Sequence, residues 1–194
     1  MRNAAWLIYL LACTSLMAAP STNGLENATV LVIRHAEKPA SGRELSAAGL
    51  ERAKAYVAYF EKLQLEGKAA TPDCIVAGAD SEASTRPRQT VEPLAQALHL
   101  KIHDKHKTKD VQALADYLRE KPRGKTILVS WRHAEIPGLL AALGANPAAL
   151  LPGGKWPDAN FCWLVALRYD ATGALVSSRR LNEHVCPGDG AFPP

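Results

Sequence analysis

Hydrophobic residues follow two alternating patterns along this chain. Short continuous apolar runs are typical of strands buried on both faces of a sheet, and apolar residues three and four positions apart are typical of helices packed on one side. The predicted strands cover residues 29–33, 74–78, 101–103 and 125–130. The predicted helices cover residues 46–63, 87–98, 108–118 and 137–143.

Local signals set the ends of these helices. Ser46 and Thr108 are predicted N-caps, Pro137 lies near the start of the last helix, and Gly144 follows its end. Pro93 must either kink the second helix or mark its first turn. In the first helix the apolar residues expected to face the core are Leu50, Ala53, Val57, Phe60 and Leu63.

The last third of the chain ends in a predicted β-hairpin. Residues 161–169 and 174–181 read as strands around the turn at 170–173, and residues 146–157, rich in Pro and Gly, read as a loop. Alternating strands and helices followed by a hairpin predict an α/β fold. We expect one domain over residues 29–194, a three-layer αβα sandwich with a mostly parallel sheet and an antiparallel C-terminal edge.

Composition is that of an ordinary globular protein. With 47% hydrophobic and 22% charged residues among 194, disordered, collagen-like and coiled-coil classes are disfavoured. Lys and Arg number 23 against 19 Asp and Glu, a formal net charge of +4 that is spread along the chain. This argues against a nucleic-acid partner and leaves room for small anionic molecules.

The first residues resemble a secretory signal. Arg2 precedes an uncharged apolar stretch, residues 4–19, which is short for a membrane span. We expect a signal peptide over 1–19, a linker over 20–28, and a secreted or periplasmic protein. Cleavage after Ala19 competes with a lipoprotein box ending at Cys13, and only lipidation at Cys13 would attach the protein to a membrane.

The other cysteines and the histidines give no metal-ligand pattern. Cys74, Cys162 and Cys186 have no metal-ligand spacing, so either one disulfide forms, with Cys162–Cys186 slightly favoured, or Cys74 and Cys162 are buried thiols. No Cys or carboxylate completes a ligand set with the histidines at 99, 103 and 106. We therefore expect neither a metal nor another cofactor.

Arginine and histidine occur directly after three predicted strands. Arg34 and His35 follow the first strand, Arg86 opens the helix after the second, and His133 follows the strand at 125–130. Each alone is weak evidence, but parallel strands bring their carboxyl ends to one rim of the sheet. Guanidinium groups match phosphate oxygens, and a neutral imidazole can attack phosphorus to form a phosphohistidine.

These residues also carry a family resemblance. The chain resembles the histidine phosphatase superfamily, in its phosphoglycerate mutase-like branch, over nearly all of the part after the signal. The family's Arg-His-Gly start matches Arg34-His35, with Ala36 in place of Gly, and its Arg-x-x-x-Thr helix opening matches residues 86–90. His133 matches the second histidine, and the short loop at 156–158 also resembles the family.

The resemblance implies that His35 is the nucleophile and that Arg34, Arg86 and His133 bind the phosphate. A carboxylic acid should protonate the leaving oxygen and later activate water. Glu135 is the favoured acid, and Glu37 and Glu82 are alternatives. Structural interpretations compete with these roles: Glu37 could pair with Lys38 or Arg43, and Glu135 could be a first-turn carboxylate of a helix.

The expected activity is hydrolysis of a small phosphomonoester without a metal. Lys38 and Arg43 lie close behind the nucleophile and are candidates for binding a second anionic group of the substrate. A sugar phosphate or a phosphorylated component of the cell envelope is the expected substrate. The alternatives are a phosphomutase and a non-catalytic anion-binding protein of the same fold.

Overall fold

The computed structural model describes residues 24–120 and 126–189. Eight strands form a central sheet and a small hairpin: β1 Thr29–Arg34, β2 Gln64–Leu65, β3 Lys68–Ala69, β4 Cys74–Ala77, β5 Ile102–His103, β6 Thr126–Trp131, β7 Trp163–Tyr169 and β8 Leu175–Asn182. Five α-helices are α1 Ala47–Lys62, α2 Arg86–Ala97, α3 Val111–Glu120, α4 Ile136–Ala142 and α5 Pro147–Leu150. Two 3₁₀ turns are His133–Glu135 and Pro152–Gly154.

The central sheet has the strand order β5-β4-β6-β1-β7-β8. Strands β5, β4, β6 and β1 are parallel, whereas β7 is antiparallel to β1 and β8 is antiparallel to β7. This confirms the predicted mostly parallel sheet with an antiparallel C-terminal edge. The register pairs Arg34 with Trp131 and Ala77 with Ser130, so the carboxyl ends of β1, β4 and β6 lie side by side.

Helices cover both faces of the sheet. Leu31 and Ile33 of β1 pack in a core with residues of α1 and α2, and Val30 and Val32 pack on the opposite face with residues of α3, α4 and α5. Alternate side chains of a strand point to opposite faces, so the apolar run at 30–33 of β1 requires cover on both sides. The three-layer αβα sandwich is therefore confirmed.

The buried face of α1 differs from the predicted one. Leu50 is 48% exposed, and Arg52 and Tyr56 take buried positions instead, whereas Ala53, Phe60 and Leu63 are buried as predicted. The hydrophobic pattern placed Leu50 inside because it could not show that an arginine takes a core position. Arg52 has buried carboxylate partners, described below, and these make its burial stable.

Two local predictions were also wrong. Thr108 does not cap α3, because Leu114 N donates to Asp110 O and the helix begins at Val111. The region predicted as a loop at 146–157 contains α5, whose first turn is capped by the Asn146 side chain. The hairpin β2–β3 was not predicted. Pro93 lies inside α2 rather than in its first turn.

The cysteines within the described residues are free thiols, so the Cys162–Cys186 disulfide is not present. Cys74 and Cys162 are buried, as the alternative interpretation held. The predicted signal peptide and Cys13 lie outside the described residues. Within residues 24–120 and 126–189, no helix has both the length and the apolar character needed to cross a membrane.

Candidate active site

His35 lies at the carboxyl end of β1 and is 4% exposed. Its backbone N–H donates to Trp131 O of β6 at 2.9 Å, which continues the parallel pairing one residue beyond the strand. The ring nitrogen Nδ1 lies 2.8 Å from Ala36 O. A carbonyl can only accept, so Nδ1 carries the proton and Nε2 keeps its lone pair.

The His35 ring is uncharged at neutral pH. Burial, together with the electrostatic effects of Arg34, Arg86 and His133, lowers its pKa to about 3, while the hydrogen bond to the Ala36 carbonyl acts in the opposite direction. Desolvation and like charge both disfavour the imidazolium form. His35 therefore presents an unprotonated Nε2, which is the form that a nucleophilic imidazole requires.

Arg34, the last residue of β1, precedes His35 and has 1% of its surface exposed. Its Nη1 donates to Asp158 O at 2.5 Å and Asn160 O at 3.0 Å, and its guanidinium carbon lies 3.8 Å from the centre of the Phe161 ring. Nε and Nη2 are buried with no hydrogen-bond partner among the described residues. Burial lowers the pKa of Arg34 to about 10, so the group stays charged. Its unpaired N–H groups can donate to a further acceptor.

Arg86 begins α2 and is fixed by the loop after β1. Its Nη1 donates to Gly42 O at 2.9 Å, whereas its Nε is buried and unpartnered within the described part of the chain. Thr90, one turn later, accepts from Ala36 N and donates to Arg86 O, both at 2.8 Å. This threonine therefore connects the first turn of α2 to the segment that carries His35.

His133 follows β6 and completes the group. Its ring centre lies 6.5 Å from that of His35, and the two rings are nearly perpendicular. Its Nε2 lies 2.5 Å from Asp158 Oδ1, while Nδ1 is buried and unpaired with any described residue. Burial, together with the charge of Arg34, lowers the pKa of His133 to about 4.

One cavity of about 170 Å³ brings the predicted phosphate-binding residues together. His35, Arg86 and His133 line it, and Arg34 lies close enough that its charge lowers the pKa of both histidines. Two further cations, Lys38 and Arg132, also line the cavity and are exposed. The remaining lining residues are Ala79, Ser81, Ala83, Ser84, Pro87 and Thr108.

Comparison with known proteins relates this arrangement to solved structures. No protein-family model and no curated protein sequence matches the chain. Phosphoglycerate mutase from Plasmodium falciparum is 17% identical with a TM-score of 0.54, over 82% of this chain and 92% of that one. Phosphoserine phosphatase from Entamoeba histolytica is 14% identical with a TM-score of 0.52, over 80% and 98%. The proposed phosphohistidine phosphatase SixA of Agrobacterium tumefaciens is 19% identical with a TM-score of 0.52, over 78% and 97%.

The chain has the histidine phosphatase fold. This confirms the resemblance at the level of architecture. At these identities the likeness concerns the fold alone, and the reaction must be argued from the side chains of this protein.

Within this histidine phosphatase fold, the predicted acids lie apart from the cavity lining. The Glu37 carboxylate accepts from Nε and Nη2 of Arg52 at 2.8–3.1 Å, so its ion-pair partner is Arg52 and neither Lys38 nor Arg43. Glu135 is half-buried in the 3₁₀ turn after β6. Glu82 is exposed in a tight turn whose neighbours Ser81 and Ala83 line the cavity. No carboxylate is among the described residues that line the cavity.

Arg43, unlike Lys38, does not line the cavity. Its side chain is exposed, and its carbonyl accepts from the backbone N–H and the hydroxyl of Thr85 at the start of α2. The structure thus places Lys38 in the cavity and gives Arg43 a role in joining the loop after β1 to α2.

The sequence analysis missed two residues next to the site. Arg132 lines the cavity, and Asp158 contacts both Arg34, through its carbonyl, and His133, through its carboxylate. Arg132 precedes a predicted site residue, so its position was a usable signal. Asp158 lies in a loop far from the strand ends along the sequence, and only folding brings it there. In the described residues, no cluster of three or more His, Cys, Asp or Glu could hold a metal ion.

Proposed function

We propose that this protein is a phosphatase that hydrolyses small phosphomonoesters through a phosphohistidine on His35. The observation that carries the proposal is the neutral, carbonyl-fixed ring of His35 in a cavity shared with Arg86 and His133, with the charge of Arg34 close enough to lower the pKa of His35. A single cavity offers both a nucleophile and fixed positive charge, which is what transfer of a phosphoryl group demands.

The reaction has two steps. In the first, the Nε2 lone pair of His35 attacks phosphorus and the ester bond to the leaving oxygen breaks, while the Nδ1–H bond to Ala36 O fixes the ring. In the second, water attacks the phosphohistidine and restores the free imidazole. The unpaired donors of Arg34 and Arg86 are suited to the phosphate oxygens, because each buried N–H needs an acceptor.

Charge at the cavity mouth favours a substrate with a second anionic group. Lys38 and Arg132 are both exposed and both line the cavity. Phosphoserine phosphatase and phosphoglycerate mutase, which share the fold, are named for substrates that carry a carboxylate beside the phosphate. We propose a sugar phosphate or a phosphorylated envelope component as the substrate, with Lys38 binding its second charge and no nucleic acid involved.

Two other activities compete with hydrolysis. A phosphomutase would return the phosphoryl group to a second hydroxyl of the substrate, and a non-catalytic anion-binding protein would stop at binding. The uncharged state of His35 favours turnover over mere binding, because an anion site gains from a protonated imidazole. Mutase activity is measured by the appearance of the isomeric phosphate rather than inorganic phosphate.

The compartment is a further part of the proposal. We propose that residues 1–19 direct export and that the protein acts in the periplasm or outside the cell. Phosphate-release assays on cell fractions, with and without residues 1–19, test this, and activity confined to the cytoplasm for the full chain would contradict it.

Vanadate is expected to inhibit and EDTA is expected to have no effect. Vanadate adopts the five-coordinate geometry of the phosphoryl transition state, so it should bind at least about 100-fold more tightly than phosphate. Release of phosphate from 4-nitrophenyl phosphate and from a panel of sugar phosphates measures both effects. Full loss of activity in EDTA, restored by a divalent metal, would show a metallophosphatase instead, and no hydrolysis of any ester would refute the proposal.

Two of the three predicted acids, Glu37 and Glu135, are separable by substitution. Glu37→Gln should reduce stability because it removes a charge from the Arg52 ion pair, and Glu135→Gln should slow hydrolysis of alkyl phosphates if Glu135 reaches the leaving oxygen. Turnover of an alkyl phosphate and of 4-nitrophenyl phosphate, measured for both variants, decides between them. Since neither carboxylate lines the cavity, we expect both variants to retain turnover within about tenfold of the wild type.

A further inference from the structure

The imidazole of His133 lies between two depressions of the surface. On one side it lines the cavity that holds His35 and Arg86, and on the other it lines a shallow pocket with Trp156 and Asp158. Its Nε2 is bonded to Asp158 Oδ1 at 2.5 Å. Its Nδ1 is buried and lacks a partner among the residues described. One nitrogen is therefore committed to protein, and the other is the one left for a substrate.

The position of Asp158 is set by backbone contacts. Its carbonyl accepts from Arg34 Nη1, and Asn160 O accepts from the same nitrogen and from Trp156 Nε1. The loop is thus fixed to the phosphate-binding arginine, while the Asp158 side chain is 82% exposed apart from its bond to His133. An exposed carboxylate that nevertheless bonds to a site histidine loses hydration and rotational freedom, so a role in the site explains it better than stability does.

We propose that Asp158 is a positioning residue for His133: its carboxylate accepts the Nε2–H, directs Nδ1 toward the phosphate, and stabilises the imidazolium that protonates the leaving oxygen. The inference rests on the proposed phosphatase function. It supplies the proton donor that the cavity otherwise lacks, since no carboxylate is found among its described lining residues.

The proton balance closes over the two steps. As the bond between His35 Nε2 and phosphorus forms, the ester bond breaks and the Nδ1 proton of His133 passes to the leaving oxygen. Neutral His133 then accepts a proton from the attacking water at Nδ1, the bond between phosphorus and His35 breaks, and inorganic phosphate leaves. Asp158 remains a carboxylate throughout, as an orienting acid does beside a catalytic histidine.

Five groups around His133 determine its charge. Arg34 from β1, Lys38 from the following loop and the adjacent Arg132 lower its pKa, Asp158 raises it, and neutral His35 faces it at 6.5 Å between ring centres. Burial is the largest effect and brings the pKa to about 4. A bound phosphate dianion adds negative charge next to the ring and favours its protonated form.

Direct titration of His133 tests the proposal without relying on turnover. We compare the ring ¹⁵N chemical shifts of wild type and Asp158→Asn during pH titration, with and without vanadate. Asp158→Asn should lower the His133 pKa by about one unit, because an adjacent exposed carboxylate is removed. Bound vanadate should favour protonation of Nδ1 and shift its ¹⁵N resonance, while Nε2 stays bonded to Asp158. An unchanged pKa, or vanadate bound at Nε2 with Asp158 displaced, would overturn the proposal.

Kinetics supply a second, independent readout. Above the His133 pKa, a fall of one unit leaves about one tenth as much imidazolium, so kcat for an alkyl phosphate should fall about tenfold and its alkaline limb should move to lower pH. Hydrolysis of 4-nitrophenyl phosphate, which has a good leaving group, should change less. Asp158→Glu should restore part of the loss, and Asp116→Asn, an exposed carboxylate on α3, is the matched control.

The possible failures are distinct. Equal slowing of both substrates with an unmoved pH profile would indicate a structural role and refute the assignment of Asp158. If wild type hydrolyses no phosphomonoester, the proposed function fails, and the titration of His133 in Asp158→Asn still decides whether the carboxylate controls the ring.

Discussion

His35→Ala yields a folded protein whose phosphomonoesterase activity is lower by at least about 1,000-fold. Without the imidazole no phosphohistidine forms, and the remaining cations can only bind the substrate. His35 is small, sits at a strand end and bonds its neighbour's carbonyl rather than a distant residue, so its removal leaves the sheet pairing in place. Steady-state phosphate release measures the loss of activity, and circular dichroism of the same sample shows that the protein is folded.

His99→Asn is the matched control for that variant. His99 is exposed, lies outside the cavity lining and has a positive φ of 54°, a conformation that Asn tolerates better than most residues. Its activity should equal that of wild type. Rapid quenching should also trap an acid-labile phosphoryl group on wild type and none on His35→Ala, and undiminished turnover of His35→Ala would remove the nucleophile from the proposal.

Arg52→Leu unfolds the protein or lowers its free energy of unfolding by about 3–5 kcal/mol. Arg52 is buried in α1 and forms ion pairs with Glu37 at 2.8 Å and Asp189 at 2.7 Å. Burial alone would lower its pKa, but the hydrogen bonds that Arg52 donates to Asp189 and Glu37 raise the pKa above the ordinary arginine value. Removing the guanidinium leaves buried negative charge without a partner. This destabilises a protein more than replacing the whole ion pair with apolar side chains.

The effect of Arg52→Leu should extend beyond the core to the candidate site and to the C-terminal segment. Glu37 follows His35 by two residues, and its carbonyl accepts from Ser46 N at the start of α1. Asp189 accepts from the backbone N–H groups of Val185 and Cys186. Arg52 therefore connects the loop after β1 with the last described residues, and its loss should weaken both.

Urea unfolding followed by fluorescence measures the effect of Arg52→Leu. Lys54→Leu on the same helix is the control, because Lys54 is 67% exposed and its pair with Glu51 should contribute under about 1 kcal/mol. Equal stability of the two leucine variants would show that the buried ion pairs do not hold α1 in place. Activity measured well below the unfolding midpoint then shows how much the loop after β1 depends on Arg52.

Much of the site followed from local pattern plus one topological rule. The buried runs at β1, β4 and β6 were visible as apolar segments, and parallel pairing brings their carboxyl ends together. Arg34, His35 and His133 lie at or just after those ends, and Arg86 opens the helix that follows β4, so their convergence was predictable. Side chains that immediately follow strands have little freedom to be elsewhere.

The choice of acid was not predictable in the same way. Glu135 was favoured, with Glu37 as an alternative. Each lies two residues from a site histidine, and a two-residue offset fixes distance along the chain without fixing direction. In the fold Glu37 turns toward Arg52, and the carboxylate that reaches His133 is Asp158, from a loop before β7. Glu37 points where it does because of its long-range ion pair with Arg52, and Asp158 does so because Arg34 fixes the loop before β7.

The sequence by itself determined the layered α/β architecture, the mostly parallel sheet and the set of cations and imidazoles at one rim, because hydrophobic periodicity and strand ends are local properties of the chain. Tertiary structure alone decided that Arg52 occupies a core position, that His35 is uncharged and that Asp158 meets His133. Burial, desolvation and ion pairing depend on which distant segments pack together, and no local pattern encodes that choice.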